Sequence, residues 1–519
     1  MSTVNRFTLL GLSLLVLAGC TQKEQKNQLD LVEMDIATLQ QGYQAGTWTV
    51  SEVVTAYLTR IDTIDHSGPT LASVLAVHPE AMRIADSLDQ VPPSERGPLH
   101  GVPILLKDNI DTYDLPTTAG SRALAGSIPA KDSEVARKLR AAGAVILGKA
   151  NLSEWANFRG QNSTSGWSGL GQQTKNPYDI LRNPCGSSSG SGVAVSANLA
   201  MAAIGTETNG SIVCPANASG VVGLKPTVGL ISRSGIIPIS WTQDTAGPMT
   251  RTLADAALLL NVLAGPDPAD EKTLNSPELP KDYTAFLQKD GLKGKRIGWF
   301  KSAWGTQASV DTLTLRAIER IKELGAEVIE IESINDRSTG GHSFEVMLYE
   351  YKDGLNKYFA SLGPNARIKN LEELIAFNQQ DSIELKYFNQ EYLERALAKG
   401  PLTDPEYIDH LNQLKKGSQE NGIDRVMNEH TLDAIIAPTG SPAWATDWVN
   451  GDNYHIGTSS PAAWAGYPNI TIPMGNVHGL PVGLSFFGRA WSEPVLIECA
   501  YAFEQSTKAR IVPQFKSGI

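Results

Sequence analysis

The chain has 519 residues, 41% of them hydrophobic, a formal net charge of −11 and a pI near 5.3. That is ample material for a large core, and the acidic balance, without a run of Lys/Arg or a basic stripe interleaved with aromatics, argues against a nucleic-acid partner. The eight histidines are scattered with no pair at metal-ligand spacing, and no GxxxxGK[ST] occurs, which argues against a zinc site and a P-loop.

The N-terminus reads as a targeting signal. Arg6 gives a basic start, Phe7 to Ala18 is an apolar run too short to span a bilayer, and LAGC (Leu17 to Cys20) closes it. Small residues before a cysteine resemble a bacterial lipobox, which implies cleavage before Cys20 and lipidation of its thiol. The expected division is therefore signal 1–19, lipidated Cys20 and polar tether 20–30, and one domain over 31–519. The chain is expected to be exported and lipid-anchored. Thr21 is not acidic, which points to the outer membrane, facing the periplasm, in a Gram-negative source. Three cysteines remain, Cys185, Cys214 and Cys499, an odd number that does not read as a disulfide framework. Cys185 and Cys214 each lie near a serine-rich motif, and whether they bond is left open.

Next come helical patterns: Ile36, Leu39 and Tyr43 on one face, then a capping box of Thr49 with Glu52 ahead of Val53, Tyr57, Ile61 and Ile64, then Pro79 to Leu88. LHGVPILLKDNID starts an apolar run of strand length that ends at Lys107. A helix over Asp132 to Arg140 and a strand over Ala144 to Lys149 follow, an order that suggests a parallel pair. Val193 to Ile204, uncharged and rich in Ala and Val, reads as one helix buried on most faces. Strand, helix and strand recur at Lys295 to Phe300, Val310 to Leu324 and Glu327 to Ile331, with Gly325 as the helix stop. Phe344 to Asn428 is mostly helical and charged. Leu432 to Thr439 and Asn469 to Met474 are strand-like, and Ser492 to Gln505 is a last helix. No linker or internal repeat separates halves, so the expectation is a single large α/β domain.

The chemistry gathers in two serine sites, Ser187-Ser188-Ser189 with Ser191, and Ser211, the latter 24 residues after Ser187. GSSSG also fits the G-x-S-x-G nucleophile elbow with Ser188 at its centre. That elbow needs a strand directly before it, and Pro184 stands where the last ladder bonds would fall. The other reading takes a lysine as base. Lys107 at the end of an apolar strand would be poorly solvated, and working near pH 7 requires its pKa to fall by roughly 3 units, worth about 4 kcal/mol. Lys149 and Lys225 are rival bases that spacing does not separate.

LHGVPILLKDNID, CGSSSGSGVAVSAN, GTETNGSIVCPA and GVVGLKPTVGLISRSGIIPIS…DTAGPM closely resemble the amidase signature family, and the likeness extends to DAIIAPT and GYPNITIPMG…GLPVGLSFFG. Within the family, CGSSSGS and GTETxGSIVCPA resemble the bacterial peptide amidases. The resemblance implies a central mixed β-sheet covered by α-helices on both faces. It also implies a Ser-Ser-Lys triad of Lys107, Ser187 and nucleophile Ser211, with a cis peptide bond beside Ser187. Backbone N–H groups of Thr208, Asn209, Gly210 and Ser211 would form the oxyanion hole, and Ser188 and Ser189 would support by hydrogen bonds. Asn209 departs from the family's glycine, which requires either a positive φ or a different loop, and Val213 replaces an arginine. The implied activity is hydrolysis of a carboxamide, foremost the C-terminal amide of peptides, by a monomer without metal or organic cofactor, whose membrane contact is the lipid anchor only. Other small or fatty amides are the alternative substrates. An amidotransferase subunit or a non-catalytic surface lipoprotein are the alternatives of another class, the former disfavoured by the export signal.

Overall fold

The computed structural model describes residues 29–518. Cys20, the expected signal and most of the tether lie outside the described residues. Eleven strands form one mixed sheet: β1 (Val74–Val77), β2 (Pro103–Lys107), β3 (Val145–Ala150), β6 (Ala202–Glu207), β7 (Val222–Lys225), β8 (Thr245–Thr250), β9 (Arg296–Phe300), β10 (Glu327–Ile331), β11 (Ala434–Pro438), β12 (Asn469–Val477) and β13 (Leu480–Phe487). A separate small hairpin pairs β4 (Trp167–Ser168) with β5 (Gln172–Gln173). The sheet order is β1-β3-β2-β6-β8-β7-β12-β13-β11-β9-β10. The expected parallel pair is present, β2 beside β3, and β6 lies parallel on the other side of β2. In β2, β3, β6, β7, β8, β11 and β13 every residue is buried, as strands covered by helices on both faces must be.

Most elements fall where the periodicity puts them. The Thr49–Glu52 capping box starts the helix Val50–Arg60, and the helices Ala81–Asp89, Glu134–Ala141, Ala308–Glu323 and Glu493–Thr507 match their expected spans within a few residues. The charged region folds as helices Thr339–Ser361, Leu371–Gln380, Glu391–Leu397, Pro405–Lys415 and Asp424–Glu429.

One element differs. The helix expected over 193–204 runs from Ser189 to Ser196 and stops, and Ala202–Ile204 already belong to β6. The stop is local: Asn198 adopts a positive φ of 57°, which a helix cannot continue. An apolar run with no polar face carries no periodicity to separate buried helix from buried strand. The glycines at the helix start serve close packing, since a Cβ on Gly190 would lie 2.2 Å from the Ser73 carbonyl oxygen and 2.5 Å from that of Asn151.

Strand direction places the site. β2 and β6 are parallel, so their C-terminal ends, Lys107 and Thr206-Glu207, share one sheet edge. β8 is antiparallel to β6 with Thr245 opposite Glu207, which brings Asp244, the residue before it, to the same edge. Ligand crevices in open α/β sheets form at the carboxyl ends of parallel strands.

Candidate active site

Lys107 and Ser187 are brought together. The Lys107 ammonium is wholly buried and donates to Ser187 Oγ at 2.7 Å, to Thr206 Oγ1 at 2.9 Å and to the Thr206 carbonyl at 3.2 Å. The Gly186–Ser187 peptide bond is cis, and the Ser187 carbonyl accepts from the Ser153 N–H at 3.0 Å. Burial pushes the lysine from its ordinary 10.5 to about 7, against the opposing pull of the Asp244 and Glu207 carboxylates. The neutral amine required of a base at ordinary pH is therefore accessible to it.

The rival lysines are engaged elsewhere. Lys149 donates to the Ile110 carbonyl at 2.7 Å and to Thr117 Oγ1 at 2.8 Å, and lies 3.7 Å from Asp108. Lys225 donates to the carbonyls of Tyr467 at 2.7 Å and Pro226 at 3.1 Å. Neither has a hydrogen bond to a serine among the described residues.

The other serines of the cluster brace the loop. Ser188 Oγ donates to the Thr206 carbonyl at 3.0 Å and accepts from the Thr206 N–H at 3.2 Å. Ser189 Oγ donates to the Cys185 carbonyl at 2.6 Å. Ser188 is fully buried with its oxygen held on both sides, and no strand precedes it, so the nucleophile elbow is absent.

Ser211 sits past the end of β6, just before the helix Val213–Ala218, with 9% of its surface exposed where Ser187, Ser188 and Ser189 have none. Its carbonyl accepts from the Ser188 N–H at 3.1 Å, which ties the two serine loops together. A disulfide between Cys185 and Cys214, with Cα atoms 5.9 Å apart, ties them a second time and answers the question the sequence left open.

The backbone N–H groups of the loop 208–211 are left open. The Glu207 carboxylate accepts from the N–H groups of Ile212 at 2.8 Å and Val213 at 3.0 Å, whereas those of Thr208, Asn209, Gly210 and Ser211 donate to no protein acceptor among the described residues. Gly210, not Asn209, takes the positive φ, at 86°. Asn209 is accommodated by its side chain instead: its oxygen accepts from Ser459 Oγ at 2.7 Å and its nitrogen donates to Ser460 Oγ at 3.2 Å.

Several participants carry no signal that sequence reasoning could use. Thr206 stands inside GTETNGSIVCPA but looks like any strand residue. Asp244 precedes β8 in the DTAGPM stretch, and Asn109 follows Lys107 by two. Only the sheet register brings them to one place. The Asn109 amide donates to Thr206 Oγ1 at 3.0 Å while its oxygen is buried without a partner. Beside it a cavity of about 20 Å³, room for one water-sized group, is lined by Thr206, Thr208 and Asp244 and walled by Ile237, Ile239 and Trp241.

The Amidase family profile matches residues 52–497. A probable amidase of Arabidopsis thaliana is 39% identical over 524 aligned residues, covering 98% of this chain and 96% of the plant protein. A glutamyl-tRNA(Gln) amidotransferase component from a Cyanothece species is 36% identical, covering 82% of this chain and 89% of that protein. Among solved structures, the native peptide amidase of Stenotrophomonas maltophilia is 49% identical and superposes with a TM-score of 0.90 over 93% of this chain and 99% of that one. With a match across the whole sheet and helical shell, and amidases among its relatives, the chain belongs to the amidase signature family of C–N hydrolases.

Proposed function

We propose that the protein removes the C-terminal amide of peptides, releasing ammonia, through Lys107, Ser187 and Ser211. The observation that carries the chemistry is the 2.7 Å contact between the buried Lys107 amine and Ser187 Oγ, at a sheet edge shared with the loop of Ser211. Neutral Lys107 accepts a proton from Ser187 Oγ as Ser187 takes the proton of Ser211, and Ser211 Oγ forms a bond to the amide carbon. The carbonyl oxygen becomes an oxyanion held by N–H groups of residues 208–211, each worth on the order of 3 kcal/mol in comparable sites. As the tetrahedral adduct collapses, Ser187 gives a proton to the leaving nitrogen and is reprotonated by Lys107, so ammonia departs and an acyl ester remains on Ser211. Water then adds to that ester by the same proton route, releasing the free acid and restoring the serine.

The substrate class rests on the extended likeness to a peptide amidase. The test is incubation with a peptide amide, the matching free acid, an amino-acid amide and a long-chain fatty amide, reading ammonia and product mass. Fastest turnover of the peptide amide with internal bonds intact is expected. Fastest release from the fatty amide, or cleavage within the free acid, overturns the substrate assignment.

We also propose that the chain is exported and anchored through a lipid on Cys20. LAGC supports that reading. Intact-mass measurement of the mature protein should find a lipidated residue 20 at its start, and an unmodified Cys20 in a soluble product overturns it.

A further inference from the structure

Asp244 lies beside the site, and the proposed proton route does not use it. It is partly buried and lines the cavity beside Thr208. One oxygen accepts from Thr208 Oγ1 at 2.6 Å, and the other accepts from the N–H groups of Ile239 at 2.7 Å and Ser240 at 2.8 Å. Thr208 is the first residue of the oxyanion loop, and Ile239 with Trp241 walls the cavity. A carboxylate that accepts three short hydrogen bonds is a strong and directional clamp.

The same wall is held from outside by Glu350, on the helix Thr339–Ser361. It accepts from Ser240 Oγ and the Thr242 N–H, and from Tyr407 of a neighbouring helix. The segment 239–244 is thus pinned between two carboxylates, and only Asp244 also reaches the oxyanion loop.

Asp244 also stands at the sheet edge that carries Lys107, and its carboxylate opposes the burial that lowers that lysine. The charged groups around that lysine are Asp244 and Glu207; one Glu207 oxygen accepts from the Ile212 and Val213 amides, and the other is buried without a partner among the described residues. Asp244 is itself faced by the Arg233 guanidinium and the Tyr351 phenol. Arg233 is already paired with Asp270 at 2.5 Å.

We propose that Asp244 is a positioning residue that sets the oxyanion loop against the pocket wall, with its carboxylate at the sheet edge that carries Lys107. This rests on Lys107 as the base. Burial pushes Asp244 up to about 6, so near neutral pH it is ionised and favours the ammonium form of Lys107. Removing its charge lowers the pH at which the lysine becomes neutral.

The experiment is the pH dependence of kcat/KM on a peptide amide for wild type, Asp244→Asn, Thr208→Val and Thr208→Ser, with thermal unfolding in parallel. In Asp244→Asn the carboxamide oxygen still accepts from the wall and its nitrogen can donate to Thr208 Oγ1, so the charge is removed with the least change of shape. Its acid limb is expected to move to lower pH by about half a unit or more. Thr208→Val, which breaks the clamp but keeps the charge, is expected to leave the limb in place and lower kcat about tenfold, with recovery in Thr208→Ser. An unmoved limb in folded Asp244→Asn overturns the electrostatic role, and full kcat in Thr208→Val overturns the clamp. Should Asp244→Asn not fold, Thr208→Val decides the clamp and the inference stands or falls with it. Full activity in Lys107→Ala is a separate result, which overturns the base assignment itself.

Discussion

The Cys185–Cys214 disulfide joins the loop entering Ser187 to the helix that leaves Ser211. Cys185 precedes Ser187 by two residues, and Cys214 follows Ser211 by three. The bond is packed in a small apolar cluster with Tyr178, Ala218, Trp444 and Leu480. With the Ser188 N–H to Ser211 carbonyl bond at 3.1 Å, it fixes the two serine sites relative to each other.

Replacing both cysteines by alanine should lower the unfolding free energy by about 3.6 kcal/mol, given a sequence separation of 29 residues. The loss in activity should fall on kcat, because the altered relationship is between serine and serine and not between protein and substrate. Denaturant unfolding and steady-state kinetics check both, and an unchanged midpoint would show that the bond adds nothing to stability.

Substitutions at the serines and lysines should rank in a set order. Ser211→Ala is expected to lose at least about 10³-fold in kcat, and Lys107→Ala about 10²–10⁴-fold. Ser188→Ala removes two backbone hydrogen bonds and should act chiefly on stability, by about 1–3 kcal/mol. Lys149→Met should stay active while losing about 3–5 kcal/mol, because it leaves the buried Asp108 carboxylate without its cation. An inactive Ser188→Ala beside an active Ser211→Ala, or the reverse order of the two lysines, would falsify the assignment.

The placement of these residues is legible in the sequence where a local rule applies. Strand length places Lys107 at the end of β2, and Pro184 argues against the elbow, where the structure shows no strand leading into Ser188. The choice among three lysines was not legible, because each ends or nearly ends a buried strand and only the sheet register says which one meets a serine. The boundary between the Ser189–Ser196 helix and β6 was hidden for the same physical reason: with both elements buried on all sides, side-chain polarity has no period. Asn209 was visible as a departure from a glycine, but its solution lies 250 residues away at Ser459.

The lysine also sets a pH dependence of stability. Its folded pKa, lowered by burial to about 7 from 10.5, means that the folded state carries the full cost of a buried ammonium below pH 7, and that this cost fades as pH rises towards 10.5. The cost is on the order of 5 kcal/mol. Lys107→Met should therefore be inactive yet more stable than wild type at pH 6, with the difference shrinking towards pH 10. Activity in the wild type should rise through about pH 7 and hold. Unfolding midpoints across that range test the first statement, and a rate that peaks below pH 6 contradicts the second.

Asn209 provides the test of the oxyanion loop. Its backbone does not take the left-handed conformation, which falls to Gly210, and its carboxamide is held between Ser459 and Ser460. The side chain thus does by hydrogen bonding what loop geometry alone would otherwise have to do. Asn209→Gly removes both bonds and adds backbone freedom worth about 0.5–1 kcal/mol. A kcat about 10-fold lower with little change in KM is expected, since N–H groups that point at the oxyanion matter most in the transition state. Ser459→Ala, which removes the shorter of the two bonds and leaves the backbone unchanged, should show the same pattern at smaller amplitude. If Asn209→Gly instead raises KM and leaves kcat intact, the 208–211 amides contact bound substrate more than the transition state, and the receptor for the developing charge lies elsewhere.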